Sequence, residues 1–322
     1  MAVTLPPLRT VRAVDIEPEA EGPRWLIESL WPDCAVGIIG GQPKSWKSFL
    51  ALDLALSVSS GTPCLGRYRV PEATSALIYL AEDSLLDVRG RIECLAKSRG
   101  LALGALDLDI IAEPVLRLDQ DRDQRRLRET INRLGPRLLV LDPLVRLHRL
   151  DENSSSEISG LLGYLRELQR GQDVSVVLVH HTSKRAQTRH GQSLRGTSDL
   201  HAWADVGLYL TWHGDRLRLT SELRTARPPD PVELRLVTED PEATHLEIHA
   251  PSTGTKADEP QRPLTQRILG VLEREAPHAL RRSTLRETLR VNNAKLGAAL
   301  GELEEMGFAR RGNHGWQLAR GA

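Results

Sequence analysis

Apolar residues in the first part of the chain follow two alternating spacings. Short, nearly continuous apolar runs, typical of buried strands, occupy residues 35–40, 76–81, 109–112, 138–142 and 174–180. Apolar residues at helical spacing lie between these runs, over residues 46–59, 86–100, 121–134 and 156–170. Buried strands that alternate with helices predict an α/β fold, with a parallel sheet joined by crossover helices.

Beyond residue 206 the apolar positions alternate with polar ones over shorter segments. These segments, separated by turn residues, are residues 207–212, 216–220, 232–237 and 245–249. Alternation of this kind is typical of strands with one exposed face. We therefore expect antiparallel strands that extend one edge of the sheet.

Composition divides the chain into four parts. Residues 1–24, rich in Pro, Arg and Glu, predict a flexible lead-in, and residues 25–250 hold the α/β pattern. Residues 251–263 contain almost no apolar side chain and predict a linker. Residues 264–322 predict three helices and a hairpin, which would form a separate small α+β domain.

Charge and cysteine content narrow the class of protein. The formal net charge of the 322 residues is zero. From residue 261 onward, however, the chain contains eleven Lys and Arg residues but only six Glu residues, so the last domain is basic. Three widely spaced cysteines indicate neither a disulfide framework nor a zinc site and favour a reducing cytoplasm. No apolar run reaches the roughly 18 residues of a membrane span, so we expect no membrane contact.

A connection of phosphate-binding type follows the first buried run. Residues 41–48 read GQPKSWKS, close to the P-loop pattern G-x-x-x-x-G-K-[ST], and an ordinary strand-to-helix turn is the alternative. In a P-loop the backbone N–H groups hold the phosphates of ATP, the lysine reaches the β- and γ-phosphates and the hydroxyl binds Mg²⁺. The nucleotide-binding candidates are Gly41, Gln42, Pro43, Lys44, Ser45, Trp46, Lys47 and Ser48.

Trp46 stands where the P-loop pattern has its second glycine. If that position needs a positive φ, a bulky side chain costs on the order of 1–2 kcal/mol. Alternatively the loop relaxes and Trp46 faces outward.

Two carboxylates and two histidines follow later buried runs. Glu82 comes after residues 76–81 and could orient or deprotonate a water, or belong only to a helix cap. Asp142 ends the run RLLVLD, the Walker B arrangement, in which the carboxylate holds the Mg²⁺ shell through water. We interpret His180 and His181, at the end of the last run, as polar sensors near the γ-phosphate, since no third ligand at zinc spacing accompanies them.

The order of these motifs resembles a known family. The segments GQPKSWKSFLALDLAL, LIYLAEDS, LLVLDPLVRLH with DENSS, VHHTSK and RGTSDL are similar to those of the RepA-like hexameric helicases, RecA-like ATPases related to the DnaB ring helicases. The resemblance covers residues 25–250. It implies a homo-oligomeric ring with ATP at subunit interfaces, Lys47 and Ser48 in the phosphate loop, Glu82 as catalytic carboxylate, Asp142 as Walker B acid and His181 as sensor histidine.

The resemblance also implies an arginine finger from the neighbouring subunit and loops that line a central channel. Arg224 and Arg195 are the candidates for the finger, although either could be a surface charge. Basic side chains of the channel loops would follow the phosphates of single-stranded DNA, and solvated surface loops are the alternative. The candidates are Arg146, Arg149, Arg185, Arg189 and Arg195.

The last domain resembles a winged helix-turn-helix. Its third helix, which opens at Asn292 and Asn293 and includes Lys295, would be a recognition helix for duplex DNA. Small domains of this shape also serve as protein docking modules.

Taken together, the sequence predicts a DNA-dependent ATPase, a ring helicase of a plasmid-like or mobile replicon. A non-motor DNA-binding regulator whose assembly is switched by ATP is the alternative, and a recombinase-type filament ranks third. The complete set of Lys47, Glu82 and Asp142 favours turnover of ATP over a passive switch.

Overall fold

The computed structural model describes residues 9–16, 24–152, 154–181, 198–238, 244–249, 264–276, 278–289, 291, 293–312 and 315–319. It divides into two compact units, Met1–Ala250 and Pro251–Ala322. The expected linker, 251–263, and the candidates Arg185, Arg189, Arg195 and Asn292 lie outside the described residues. Of the expected lead-in, residues 9–16 and 24 are described, with a 3-10 helix at Ala13–Asp15.

The first unit contains eleven strands among its described residues. They are β1 Trp25–Ile27, β2 Trp31–Pro32, β3 Val36–Gly41, β4 Ala76–Leu80, β5 Leu108–Ile110, β6 Leu138–Asp142, β7 Ser175–His181, β8 Val206–His213, β9 Arg216–Leu223, β10 Val232–Thr238 and β11 Thr244–Ile248. The helices are α1 Lys47–Ser60, α2 Leu85–Ser98, α3 Asp121–Leu134, α4 Ser155–Gln172 and α5 Ser198–Trp203. Among the helices of the described ranges, none has the length and apolarity that crossing a bilayer requires.

Nine of the strands form one sheet, in the order β11-β10-β9-β8-β3-β7-β6-β4-β5. The six strands from β8 to β5 in this order are parallel, and β8, β9, β10 and β11 pair antiparallel at the other edge. The predicted α/β fold, a RecA-like core with a mainly parallel sheet and antiparallel edge strands, is confirmed. The prediction for residues 207–212 was wrong in one respect, because β8 is parallel to β3. The connection from β7 to β8 is long enough for a crossover and includes α5.

Alternating side chains divide the core into two clusters, one on each face of the sheet. On one face, here called the α1 face, Ile78, Val140 and Val179 pack with residues of α1 and α2. On the other, here called the α4 face, alternate strand residues pack with α3, α4 and α5. Because successive strand residues point to opposite faces, the parity of a residue fixes which helices it meets.

A buried polar network joins α1 to the end of α2. The Asp53 carboxylate accepts from Arg99 Nη2 at 2.5 Å and from the backbone N–H of Leu65 at 2.8 Å. Arg99 Nη1 also donates to Ser57 Oγ at 2.7 Å. The network fixes α1, whose first residue is Lys47, against α2.

The second unit consists of α6 Leu264–Arg274, α7 Arg282–Leu289, α8 Asn293–Glu305 and the strands β12 Ala309–Gly312 and β13 Gly315–Leu318. Its core is formed by apolar residues of all three helices together with Ala309 and Trp316. The backbone of Trp316 exchanges hydrogen bonds of 2.7 and 2.8 Å with Leu280, which holds the hairpin to the chain before α7. The assignment as a DNA-binding winged helix-turn-helix stays a prediction.

Candidate nucleotide site

The connection between β3 and α1 is a tightly folded loop. Gly41 lies so close to the end of the loop that an added Cβ would come within 2.5 Å of Ser45 Oγ and 2.8 Å of the Leu210 carbonyl oxygen. Buried Ser45 donates its hydroxyl to the Gln42 carbonyl oxygen at 2.8 Å. A residue larger than glycine at position 41 would therefore push the loop open.

Trp46 has a left-handed backbone, with φ 58° and ψ 29°, immediately before α1. This is the positive φ for which the P-loop pattern uses glycine. The indole does not simply face outward. It packs edge-on against Trp212 of β8, with ring centroids 5.0 Å apart and planes at 73°, and joins the α1-face cluster.

Lys47, the first residue of α1, is buried, with 6% of its surface exposed. Its ammonium donates to the Gln42 carbonyl oxygen at 2.8 Å, so it lies over the loop. Burial lowers the pKa of Lys47, while the neighbouring carboxylates of Asp142 and Glu82 act in the opposite direction. The ammonium is thus held between the loop and two acids.

Asp142, the last residue of β6, shares the parity of Leu138 and Val140, so its side chain lies on the α1 face. Burial raises the pKa of Asp142 to about 6, although a hydrogen bond from Ser48 and the charge of Lys47 lower it. Its Oδ2 is buried and has no hydrogen-bond partner in the described part of the chain.

A hydroxyl and a buried carboxylate oxygen side by side fit Mg²⁺, which prefers oxygen ligands. Among the described residues no group of three or more His, Cys, Asp or Glu side chains could hold a metal by itself. The lack of such a cluster is compatible with a Mg²⁺ site, since Mg²⁺ is commonly held by one or two protein ligands together with nucleotide phosphates and waters. Ser48 would bind the ion directly, and Asp142 would hold its shell through water.

Glu82 lies two residues beyond the end of β4, beside the end of β6. Its Oε1 accepts from Arg146 Nε at 2.8 Å. Ser84, and not Glu82, caps α2, because Ser84 Oγ accepts from the Asp87 N–H at 3.2 Å. Asp83 is engaged by Arg91, at 2.6 and 2.9 Å.

The two histidines at the end of β7 belong to opposite faces of the sheet. His181 has the parity of Val177 and Val179, on the α1 face, and is paired in register with Gly41. His180 has the parity of Val176 and Leu178, on the α4 face, where it is 2% exposed. Only His181 shares the face of the phosphate loop, which revises the interpretation of both as phosphate sensors. Alternation along a strand is the physical reason.

His180 takes part in a second cluster with Glu152 and His148. His148 Nε2 lies 3.6 Å from Glu152 Oε1. Burial acts to raise the pKa of Glu152, but the nearby imidazoles of His148, His180 and His181 outweigh it, so the pKa is lowered. Glu152 thus lies between the segment after β6 and the end of β7.

The predicted arginines lie in different places. Arg146 and exposed Arg149 follow β6, at the edge of the sheet that holds the phosphate loop. Arg224 follows β9 at the end of the strands opposite to the phosphate loop. Leu223 pairs with Val206, and Val206 pairs with Gly37 near the start of β3. Its Nη1 lies 3.0 Å from Asp205 Oδ1 and its Nη2 donates to backbone carbonyls of Ala202 and Ala204. In the second unit, positions 293 and 295 lie in the first turn of α8.

Three residues near the site were missed from the sequence. Trp212 carried a weak signal, since it lies in a predicted strand but its register against β3 is set by tertiary pairing. Glu152 was noted only as part of DENSS. Arg117, in the connection from β5 to α3, carries no motif, yet its Nη1 donates to the Arg146 carbonyl oxygen.

Comparison with known proteins places this geometry in context. A family model described as AAA domain matches residues 3–187, more than half of the chain. A solved structure of a DnaB-like replicative helicase, described together with its interactions with primase, is 16% identical with a TM-score of 0.51. The match covers 66% of this chain and 57% of that one. At this identity the likeness concerns the fold alone.

Proposed function

The chain belongs to the AAA domain family, and from this premise we propose that it is a DNA-dependent ATPase of the RepA-like ring helicase type. In this proposal it binds Mg-ATP at the interfaces of a homo-oligomeric ring, a hexamer, and acts on single-stranded DNA. The observation that carries the proposal is the convergence of Lys47, Asp142 and Glu82, whose charges act on one another at one edge of the sheet. The motif order supports a role in a plasmid-like or mobile replicon.

Each residue of the site has a role in the proposal. Lys47 turns from the Gln42 carbonyl to the β- and γ-phosphates, and the loop N–H groups hold the remaining oxygens. Ser48 would bind Mg²⁺ directly and Asp142 would hold its shell through water, and the ion would neutralise phosphate charge. Glu82 accepts a hydrogen bond from the attacking water and orients it, and His181 contacts the γ-phosphate side of the site.

Arg224 remains our candidate for the arginine finger, with Arg195 as the other. For Arg224 to reach a neighbouring subunit, its guanidinium has to leave Asp205. Arg166 also binds Asp205, with Nη1 to Oδ2 at 2.5 Å, and would keep that carboxylate paired.

A non-motor regulator, in which ATP switches assembly, is the second candidate. Two observations favour it: Trp46 in the phosphate loop and the basic composition of the second unit. In both proposals the second unit contacts duplex DNA through α8, with Asn292, Asn293 and Lys295 as the residues involved.

Steady-state ATP hydrolysis, measured with and without single-stranded DNA, separates the two candidates. Strong stimulation by DNA supports the motor, and hydrolysis that DNA does not change supports the regulator. Lys47→Ala is the control, because it removes the charge that faces the phosphates and should abolish hydrolysis. Turnover of ATP by this variant at the wild-type rate would rule out the assignment of residues 41–48 as the phosphate-binding loop.

Glu82→Gln tests the proposed role of the carboxylate. We expect this variant to bind ATP normally and to hydrolyse it about 10²- to 10⁴-fold more slowly, the usual effect of losing a positioned base. Nucleotide titration and single-turnover hydrolysis measure the two steps separately. A loss of only a few-fold would place the catalytic group elsewhere.

A further inference from the structure

A cavity of about 300 Å³ lies beside Glu82, outside the phosphate loop. Its walls include Tyr79, Ala81 and Glu82 at the end of β4, Val115 and Arg117 after β5, and Arg146 after β6. Two guanidiniums against one carboxylate leave the wall with a net positive charge. The cavity therefore suits an anionic group.

The ion pair at the mouth of this cavity is of a kind that is easily broken. Arg146 Nε and Glu82 Oε1 are 2.8 Å apart, and the side chains are 60% and 49% exposed. Ion pairs with this exposure contribute little to stability, because water solvates both partners well. While the pair exists, Arg146 occupies the carboxylate that we propose to orient the attacking water.

Arg117 supplies a second guanidinium to the wall of the cavity. Its Nη1 donates to the Arg146 carbonyl oxygen and its backbone N–H to Asp123 Oδ2 at 2.9 Å. Its Nε is buried and has no acceptor among the residues that the structure describes. The two nearby acids already contact Arg126, Glu113 at 2.5 Å and Asp123 at 3.3 Å. A guanidinium carries five N–H donors, so the part of Arg117 that lines the cavity can also donate to an oxygen of an incoming anion.

We propose that this cavity binds one backbone phosphate of single-stranded DNA through Arg146 and Arg117, and that the phosphate displaces Glu82 from Arg146. Guanidinium groups match the geometry of phosphate oxygens. A backbone phosphate carries one negative charge, as Glu82 does, so it can replace the half-exposed carboxylate as the partner of Arg146. The inference rests on the proposed function, since it makes DNA the signal that frees the carboxylate for hydrolysis.

Competition between Glu82 and DNA gives a test that does not depend on hydrolysis. If both bind Arg146, removing the charge of Glu82 must tighten DNA binding, because coupling between two ligands is reciprocal. We expect Glu82→Gln to bind a labelled oligo-dT about two- to fivefold more tightly, the range that an exposed ion pair represents. Fluorescence anisotropy without nucleotide measures this affinity. An unchanged affinity would overturn the proposal.

The two arginines should respond in the opposite direction. Arg146→Ala and Arg117→Ala should each weaken oligo-dT binding and lower the slope of log affinity against log salt by about one, the value for one lost phosphate contact. Arg89→Ala is the matched control. Its ion pair with Glu93 has the same 2.8 Å Nε–Oε1 distance and 63% and 46% exposure, so this variant should bind DNA as the wild type does. Slopes that do not change in the arginine variants would refute the phosphate contact.

Rates of ATP hydrolysis test the proposed effect of DNA on Glu82. Arg146→Ala should hydrolyse ATP faster than the wild type without DNA and should lose stimulation by DNA, because Glu82 is then free at all times. A basal rate reduced as in Glu82→Gln would instead make Arg146 a positioning residue, and the proposal would fail. Inorganic phosphate, added in place of oligo-dT, should not stimulate the wild type, and equal stimulation by both would exclude DNA as the source of the phosphate. If the wild type hydrolyses no ATP, the proposed function fails, and the affinity measurements still decide the cavity.

Discussion

Trp46 combines a backbone conformation that costs a bulky residue roughly 1–2 kcal/mol with an aromatic contact to Trp212. Edge-to-face aromatic pairs contribute about 0.5–1.5 kcal/mol beyond burial, which is similar in size. The contact offsets the unfavourable φ and ties the phosphate loop to β8. A glycine at position 46 would remove both the cost of the positive φ and the contact with Trp212.

A double-mutant cycle measures this coupling. We expect Trp212→Ala to lower the free energy of unfolding by about 0.5–1.5 kcal/mol more in the wild type than in Trp46→Gly, since the aromatic pair exists only in the former. Urea unfolding of the four variants gives the value. Nucleotide titration of the Trp46→Gly variant should accompany these unfolding measurements. Equal effects of Trp212→Ala in both backgrounds would show that the two indoles do not stabilise each other.

Asp142 should make stability depend on pH. Its pKa is raised from 3.8 to about 6 by burial. A raised acid pKa means that the folded state keeps a proton which the unfolded state releases, so this contribution to stability is complete below about pH 4 and is lost as pH rises through about 6. Asp142→Asn should therefore be more stable than the wild type at pH 8, by on the order of 1–3 kcal/mol, and the difference should shrink at pH 5.

Urea unfolding at both pH values, without nucleotide and Mg²⁺, measures this difference. Mg-ATP should then narrow the gap at pH 8, because a ligand that binds the folded wild type stabilises it by mass action. The same gap at both pH values would show that the carboxylate is not desolvated.

Among the elements, α1 depends on its buried ion pair with the end of α2. Asp53 is 1% exposed, and Asp53→Asn would leave Arg99 without a counter-charge. Removing one partner of a buried pair typically costs about 3–5 kcal/mol, whereas exposed pairs cost below about 1 kcal/mol. We expect a loss in that higher range for Asp53→Asn by thermal or urea unfolding. The exposed pair of Arg69 with Glu28 gives the control, Arg69→Gln. Similar losses for both would contradict the structural role of the pair.

The strands and helices of the sheet were readable from the sequence because their apolar spacing is local. The same alternation could have separated His180 from His181, since parity alone assigns them to opposite faces. Contacts between distant elements were not readable. The approach of Arg146 to Glu82, 64 residues apart, depends on β4 lying next to β6, an order that only tertiary packing sets. The positions of the candidate residues at strand ends were therefore predictable, and their contacts were not.

The two units of the chain have separate cores. The two clusters of the first unit draw on residues between Leu26 and Ile248, and that of the second on residues between Leu264 and Leu318. A chain that ends at Thr253 should therefore fold cooperatively and keep its nucleotide affinity. Calorimetry and nucleotide titration of this shortened chain check the expectation. A broad, non-cooperative transition would mean that the first unit needs the second to fold.

The pair of indoles at the phosphate loop also has an optical consequence. Two of the six tryptophans stand 5.0 Å apart with their planes at 73°, so their strong electronic transitions couple and give the far-ultraviolet circular dichroism an exciton signal. Because one ring is attached to the loop and the other to the sheet, a change of loop conformation alters that coupling. The unlabelled protein therefore carries its own spectroscopic reporter of the phosphate loop, which can be followed in real time while nucleotide enters and leaves.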